Sequence, residues 1–135
     1  MSSTSTAIGA LVDTDQLPWK PLDRGQWVKL LRVNEETGGW AMLVRAEAGS
    51  VNGRHMHMGP ADFYVIEGCI DYVGGVANAG AYVFEPAGAV HDRTTHPVDT
   101  LYFANVYGSL AFLDENDRVT GVMDGFMLRA QLERA

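Results

Sequence analysis

The sequence has little of several features that mark well-known classes of protein. Cys69 is the only cysteine among 135 residues. A single cysteine makes neither an internal disulfide nor a zinc–thiolate cluster. Lys and Arg number 10 against 17 Asp and Glu, which gives a net charge of −7, and the basic residues do not cluster. Binding to a nucleic-acid backbone or to an anionic membrane surface is therefore disfavoured.

Long apolar segments are missing as well. No stretch of the sequence reaches the ~18 apolar residues expected of a transmembrane helix. The first residues, MSSTSTAIGALVDTD, lack the basic and apolar regions of a secretory signal peptide. These absences predict a cytoplasmic protein that binds neither nucleic acid nor membrane.

The chain does contain a series of short β-type segments separated by turns. Hydrophobic residues make up 47% and charged residues 20%, an ordinary mixture for one globular domain. Segments such as DFYVIEG (62–68) and AYVFEPAG (81–88) are rich in aromatic and β-branched residues, and turn signals recur about every 8–12 residues. This pattern favours a single all-β sandwich or barrel over residues 1–135. Gly68, between DFYVIE and CIDYVGG, predicts a tight hairpin.

The two ends of the chain depart from this pattern. Residues 1–10 are small and polar, and we predict a disordered arm there. Residues 11–25 include LPWKPL, in which two prolines surround Trp19; this predicts an extended segment with an aromatic anchor. Residues 124–134 place apolar side chains at near-helical spacing among good helix formers, which predicts one C-terminal helix.

Two of the four histidines stand one residue apart in the segment GRHMHMGP. Side chains at positions i and i+2 of a strand point to one face, so His55 and His57 project together. Neutral imidazoles are good ligands for iron, zinc, copper and nickel. Alone, the pair is compatible with a polar loop as well as with a metal site. His96 precedes Pro97 and has the opposite strand parity to His91, which predicts a loop position outside the barrel.

Two spaced motifs surround these histidines. The first is Gly49-x5-His55-x-His57-x4-Asp62-x5-Gly68, and the second is Gly80-x5-Pro86-x-Gly88-x2-His91-x3-Thr95. They resemble the paired motifs of the cupin superfamily, G-x5-H-x-H-x3,4-E-x6-G and G-x5-P-x-G-x2-H-x3-N. The chain departs from them in having Asp62 for Glu, one residue fewer before Gly68, and Thr95 for Asn. The resemblance implies an all-β cupin double-stranded β-helix, a jelly-roll barrel, with the C-terminal helix added.

The resemblance also implies a metal centre held by His55, His57 and His91. The Pro86-x-Gly88 turn re-aims the chain so that His91 can face the barrel interior. Three neutral histidines on one face of a metal leave coordination positions open, as at catalytic sites. The acidic residue of the first motif, Asp62, is then either a further ligand or a group that holds a histidine N–H from behind. A solvated carboxylate at a strand edge is the alternative.

Within the superfamily, the runs HMHMGPADFYVIEG and AYVFEPAGAVHDRTTHPVDTLYF are similar to dioxygenases that cleave carbon–carbon bonds in acetylacetone and in 2,4'-dihydroxyacetophenone. The similarity implies a mononuclear non-haem Fe(II) enzyme that uses O2 to cleave a small β-diketone or α-hydroxyketone into carboxylic acid products. Zinc, nickel and manganese remain alternative metals. The family implies a homodimer or homotetramer. A cupin isomerase or lyase that consumes no O2, and a non-catalytic metal- or ligand-binding cupin, remain open.

Four residues are candidate catalytic groups: Asp62, Tyr64, Glu85 and Arg93. Tyr64 shares the strand face of Asp62 by alternation, and either lines the pocket or belongs to the barrel core. Arg93 stands two residues after His91 and faces inward with it if the strand is regular. There it could pair with a carboxylate or anchor an anionic substrate; a charge at the rim is the alternative.

Overall fold

The computed structural model describes residues 4–6, 9–72 and 74–135. These residues form mainly antiparallel strands, followed by one α-helix. The strands are β1 (Thr4–Thr6), β2 (Gly9–Leu11), β3 (Lys20–Asp23), β4 (Gln26–Val33), β5 (Trp40–Ala46), β6 (Val51–Asn52), β7 (His55–His57), β8 (Ala61–Glu67), β9 (Cys69–Tyr72), β10 (Gly75–Asn78), β11 (Tyr82–Glu85), β12 (Val90–His91), β13 (Thr94–Thr95), β14 (Thr100–Val106), β15 (Leu110–Leu113) and β16 (Val119–Met123), and the helix α1 is Gly125–Glu133. The prediction of an all-β protein with one C-terminal helix is confirmed.

The barrel is built from three sheets. The largest has the strand order β11-β8-β14-β5-β4-β3, and two four-stranded sheets have the orders β12-β7-β15-β16 and β10-β9-β13-β6. Alternation along the strands produces one shared core: in β14, every second residue from Thr100 to Val106 is buried. Buried side chains from the large sheet, such as Val44 and Val65, join Ile70 of β9 in a single cluster. The interior of this cluster and its rim hold the candidate site.

The prediction of a tight hairpin at Gly68 is wrong. The strands on either side, β8 and β9, belong to different sheets, so the chain turns a corner there and does not fold back on itself. Gly68 adopts φ +81°, and a Cβ added to it would lie 2.3 Å from the Asp99 carbonyl oxygen. Only glycine fits such a close approach with this backbone conformation. The glycine of the motif therefore transfers the chain between the two walls of the barrel.

The segment around Trp19 and the C-terminal helix pack onto this barrel. Within the predicted arm of residues 1–10, β1 pairs with β2, and the rest of the arm lies outside the described residues. Along residues 11–25, Trp19 lies under two cations, with Lys29 Nζ 4.8 Å and the Arg45 guanidinium carbon 5.0 Å from its ring centre. Asp124 caps α1, and Leu128 and Leu132 of the helix are buried in the core. In the described part of the chain, no helix has the length and apolarity needed to cross a bilayer.

His96 lies in the loop between β13 and β14, as predicted, but it is buried and does not face outward from the barrel. It is 0% exposed and stacks on Tyr102 with ring centres 6.2 Å apart. Its Nδ1 lies 3.0 Å from both the hydroxyl and the carbonyl oxygen of Ser50, whereas its Nε2 is buried without a hydrogen-bond partner. Burial lowers the pKa of His96 below 6.5, against the opposing effect of the hydrogen bond to Ser50.

This buried imidazole predicts a loss of stability in mild acid. Below pH 6.5 the unfolded chain takes up a proton at His96 that the folded chain resists, so the free energy of unfolding falls until the lowered folded pKa is reached. One such proton contributes a slope of up to about 1.4 kcal/mol per pH unit. Urea unfolding of the metal-free protein at pH 7.5 and pH 5.5 should show a smaller loss for His96→Gln than for the wild type. Equal losses in the two proteins would contradict the assignment.

Candidate metal centre

Three histidines from two strands meet inside the barrel. His55 and His57 lie on β7, and His91 pairs directly with His55 from the neighbouring strand β12. Their ring centres are 5.0 Å apart for His55 and His57, 5.3 Å for His55 and His91, and 5.1 Å for His57 and His91. His57 and His91 are buried, and His55 is partly buried. The predicted convergence of the three imidazoles is therefore present in the structure.

A carboxylate lies between two of these histidines. Glu85 is the last residue of β11, where Tyr82 and Phe84 face outward and Glu85 is 6% exposed. Its Oε1 lies 3.2 Å from His57 Nε2, and its Oε2 contacts His91 Nε2. His57, Glu85 and His91 each offer one ligand atom, and these atoms all lie within 4.8 Å of one another. This His-His-Glu group could hold a metal ion.

The nitrogens of the group fit a metal because they lack other partners. Nδ1 and Nε2 of His57 and Nε2 of His91 are buried without a well-aligned hydrogen bond. An unpaired buried polar atom is costly, and a metal ion would satisfy it. Nδ1 of His55 lies 2.8 Å from the Gly53 carbonyl oxygen. A carbonyl only accepts, so Nδ1 carries the proton and the Nε2 lone pair of the neutral ring is available to a metal.

The protonation states of His55 and Glu85 also favour the binding of a cation. Burial lowers the pKa of His55 more than its hydrogen bond to Gly53 raises it, so the neutral, ligating form is favoured. Burial by itself would raise the pKa of Glu85. The close polar contacts and charge interactions with His57 and His91 outweigh that effect and lower the Glu85 pKa to about 2. The site thus holds an ionised carboxylate beside imidazoles that bind metals when neutral.

Sequence reasoning missed Tyr72, which completes this arrangement. Its hydroxyl donates a hydrogen bond of 3.0 Å to Glu85 Oε2, and its ring centre lies 5.4 Å from that of His91. Burial, followed by the neighbouring charge of Glu85, raises the pKa of Tyr72, so the phenol keeps its proton and remains a donor. Alternation along the sequence places Ile70 and Tyr72 on one face of β9, but the direction of that face depends on the corner at Gly68, which the sequence did not reveal.

The histidines open onto a cavity of about 470 Å³. This volume suits a small organic molecule. Much of its wall is apolar, with Met42, Phe63, Ile70, Leu110, Phe112 and Met123 among the lining residues. Polar groups at the wall include Tyr72, Glu85 and the histidines themselves. A small, mainly apolar molecule with a few polar atoms directed at the histidines matches this lining.

Three of the candidate residues are not brought to the histidines. Asp62 borders the cavity, but its carboxylate accepts hydrogen bonds from the hydroxyl of Tyr82 at 2.8 Å and the amide of Asn105 at 3.2 Å. Tyr64 is 46% exposed on the outer face of β8. Arg93 is exposed in the gap between β12 and β13, and is not turned inward beside His91. The structure therefore places Tyr64 and Arg93 outside the cavity lining and leaves Asp62 at its border.

A jelly-roll barrel with histidines and a carboxylate converging on its interior cavity defines a cupin. The family model described as the ChrR cupin-like domain matches residues 8–111. The chain therefore belongs to the family of ChrR cupin-like domains.

Known proteins similar to this chain include acetylacetone-cleaving enzymes. The acetylacetone-cleaving enzyme of Acinetobacter johnsonii is 33% identical over 103 residues, which cover 72% of this chain and 67% of that protein. A putative acetylacetone dioxygenase from Methylibium petroleiphilum PM1 has a similar structure, with a TM-score of 0.89 and 29% identity over 96% of this chain and 97% of that one. The acetylacetone dioxygenase structure from Acinetobacter johnsonii gives a TM-score of 0.86 and 26% identity, covering 99% and 97% of the two chains. The predicted cupin fold and the resemblance to this subgroup are confirmed.

Removing one imidazole of the group should weaken metal binding without unfolding the barrel. We expect His91→Ala to raise the dissociation constant for Zn(II) or Fe(II) by about 10-fold or more. His96→Gln removes a buried histidine outside the group and serves as the matched control, with unchanged affinity expected. Metal titration of the apoproteins, with far-UV circular dichroism as a check of folding, makes the comparison. Equal affinity in His91→Ala and the wild type would rule out His91 as a ligand.

Proposed function

We propose that this protein is a mononuclear Fe(II) dioxygenase that cleaves a carbon–carbon bond in a small β-diketone or α-hydroxyketone. The observation that carries the proposal is the convergence of His55, His57 and His91, with Glu85, at a mainly apolar cavity. The similarity to acetylacetone-cleaving enzymes supports the choice of substrate class.

The three histidines would hold the ion through neutral nitrogens. Because they bring no charge, a bound Fe(II) would keep its two positive charges, which would favour a substrate in its enolate form. When bound, the ion supplies Lewis acidity toward the substrate oxygens and redox chemistry with O2. The open face of a three-histidine site leaves room for both reactants.

Glu85 and Tyr72 would set the charge beside the metal. Ligation by Glu85 would lower the net charge of the centre by one. The hydrogen bond from Tyr72 to Glu85 Oε2 instead stabilises the free carboxylate. With its pKa lowered to about 2, Glu85 would be a weak base, and its negative charge would instead help to hold a cation in the site.

The cavity wall would orient the substrate. Apolar residues such as Phe63, Met42 and Phe112 surround the space next to the histidines. They favour an alkyl or aryl ketone over a strongly hydrated substrate, because desolvating charged groups there would be costly. Excluding water also protects the electron-rich enolate and strengthens the local electrostatic interactions.

The proposal predicts oxygen consumption that matches bond cleavage. One O2 should disappear for each ketone cleaved, because both of its atoms are needed to balance a carboxylic acid and a second carbonyl or acid product. An oxygen electrode and NMR of the products, with acetylacetone and hydroxyacetophenones as substrates and Fe(II) added, make the measurement. Metal-free protein and His91→Ala are the controls and should consume no O2 above background.

Other results would assign the site differently. Product formation without O2 uptake would indicate an isomerase or lyase that uses zinc, nickel or manganese. Metal binding with no turnover of any tested ketone would indicate a non-catalytic metal-binding cupin. Either result would reject the dioxygenase proposal.

The role of Glu85 has its own test. Glu85→Gln keeps the size of the side chain but removes its charge, so we expect metal affinity to fall about 10- to 100-fold and kcat to fall further. Glu67→Gln makes the same change of charge at an exposed glutamate of β8 and should alter neither quantity. If Glu85→Gln and Glu67→Gln behave alike, the buried carboxylate has no part in binding or turnover.

A further inference from the structure

A second group of polar side chains lines the cavity, apart from the histidines and Glu85. We define the polar subsite as Gln26 of β4, Asn52 of β6 and Tyr102 of β14, all of which border the cavity. Gln26 is 3% exposed and Tyr102 is 8% exposed, so the barrel encloses both side chains. Buried polar groups are costly unless hydrogen bonds satisfy them. The hydrogen bonds that the polar subsite already makes therefore show what it can still bind.

The two amides of the polar subsite are oriented by the hydrogen bonds that they share. Gln26 Nε2 donates to the Val51 carbonyl oxygen at 3.2 Å and to Asn52 Oδ1 at 2.9 Å. A carbonyl only accepts, so the nitrogen of the Gln26 amide, and not its oxygen, must face Val51. Both hydrogens of this amide are thereby used, and Gln26 Oε1 is left as an acceptor. Because Asn52 Oδ1 accepts from Gln26, Asn52 Nδ2 is left as a donor.

The Tyr102 hydroxyl adds a group that can both donate and accept. Burial raises the pKa of Tyr102 to about 12, against a lowering by the neighbouring Asn52 amide, so the phenol keeps its proton. The ring of Tyr102 stacks on His96 with centres 6.2 Å apart and contacts Phe63 with centres 5.8 Å apart. These contacts restrict the directions in which the hydroxyl can point.

The remaining polar atoms of the subsite are accessible from the cavity. Within the described residues, the side-chain atoms that are both unpaired and sealed from access are all imidazole nitrogens. Gln26 Oε1, Asn52 Nδ2 and the Tyr102 hydroxyl are not among them. Since Gln26 and Tyr102 are buried from the outer surface, their access is through the cavity that they line.

The chemistry of these atoms matches a hydroxyl group. One atom accepts, one donates and the third does either, so a ligand group that both donates and accepts can pair with all of them. The three side chains of the polar subsite are neutral, so a carboxylate or an ammonium group would lose its hydration there without gaining an ion pair.

A single aromatic ring separates the polar subsite from the candidate metal centre. The ring centre of Phe63 lies 6.0 Å from that of Tyr72, which donates to Glu85, and 5.8 Å from that of Tyr102. A ketone whose oxygens face the histidines could therefore lie against Phe63 and place its other end at the polar subsite.

We propose that Gln26, Asn52 and Tyr102 bind a hydroxyl group at the far end of the substrate, and so select a hydroxylated ketone over the same ketone without that group. This selection concerns the substrate of the proposed dioxygenase and rests on that function. A site that pairs with a hydroxyl group discriminates against an analogue that lacks it, because its own buried polar atoms are then left unpaired.

The experiment compares ligands that differ by one hydroxyl group. The probes are benzoylacetone and its meta- and para-hydroxyphenyl analogues, and calorimetry gives their dissociation constants for the Zn(II)-loaded protein, so no turnover is needed. We expect the better hydroxylated ketone to bind the wild type about 10-fold more tightly than benzoylacetone. Tyr102→Phe removes only the hydroxyl and should reduce this preference to about 2-fold or less. Tyr107→Phe makes the same change at an exposed tyrosine outside the cavity lining and should keep the full preference.

The ratio of the two dissociation constants distinguishes a subsite from a structural effect. A variant that only distorts the cavity weakens the binding of both ketones together and leaves their ratio unchanged. Equal binding of both ketones by the wild type, no binding of either, or an undiminished preference in Tyr102→Phe would overturn the proposal. If Tyr102→Phe fails to fold, Asn52→Leu removes a donor at similar side-chain size and takes its place, with the same loss of preference expected and the same contrary result.

Oxygen uptake tests the proposed function separately from the polar subsite. Uptake by a protein that binds both ketones equally would keep the dioxygenase and reject the subsite. The expected preference in a protein that consumes no O2 would support the subsite and reject the dioxygenase.

Discussion

The contact of Glu85 with His57 and His91 is the constraint on which the site depends. All three side chains are buried, and polar groups in such surroundings are costly unless they are paired. The barrel meets this cost only in part, because Nε2 of both histidines lacks a well-aligned partner. A core selected for stability alone would fill this space with apolar residues. The incomplete pairing is therefore better explained by a ligand than by folding, and the ligand that suits these nitrogens and this carboxylate is a cation.

The histidines were predictable from the sequence because their placement depends on short-range geometry. His55 and His57 share a strand face whatever the strand pairs with. His91 was expected beside them because the second motif resembles that of the cupins, and β12, which carries His91, pairs with β7. The all-β fold and the C-terminal helix were predictable for the same reason, since alternation and helical spacing are local properties. The contacts that side chains make between different sheets could not be predicted in this way.

Such contacts could not be predicted from side-chain alternation where one strand ends and the next strand begins. Asp62 was a candidate because of its place in the first motif, but the strand β7 ends after His57 and β8, which carries Asp62, belongs to a different sheet. The same break separates His91 from Arg93, because β12 ends before β13 begins. Tyr72 became visible only when Gly68 proved to be a corner between sheets, which aims β9 at the site and not back along β8. Sheet membership, more than strand propensity, is what the sequence leaves undetermined.

The strand β11 connects the interior of the barrel with its surface. Val83 and Glu85 face the core and the candidate centre, whereas Tyr82 and Phe84 are exposed on the other side of the strand. The strand has only four residues and in the described structure is held by hydrogen bonds to β8 alone. An edge strand held on one side is among the more easily opened parts of a sheet. Opening of β11 would change the distance of Glu85 from His57 and His91, so the pairing of this one short strand with β8 sets the geometry of the candidate metal centre.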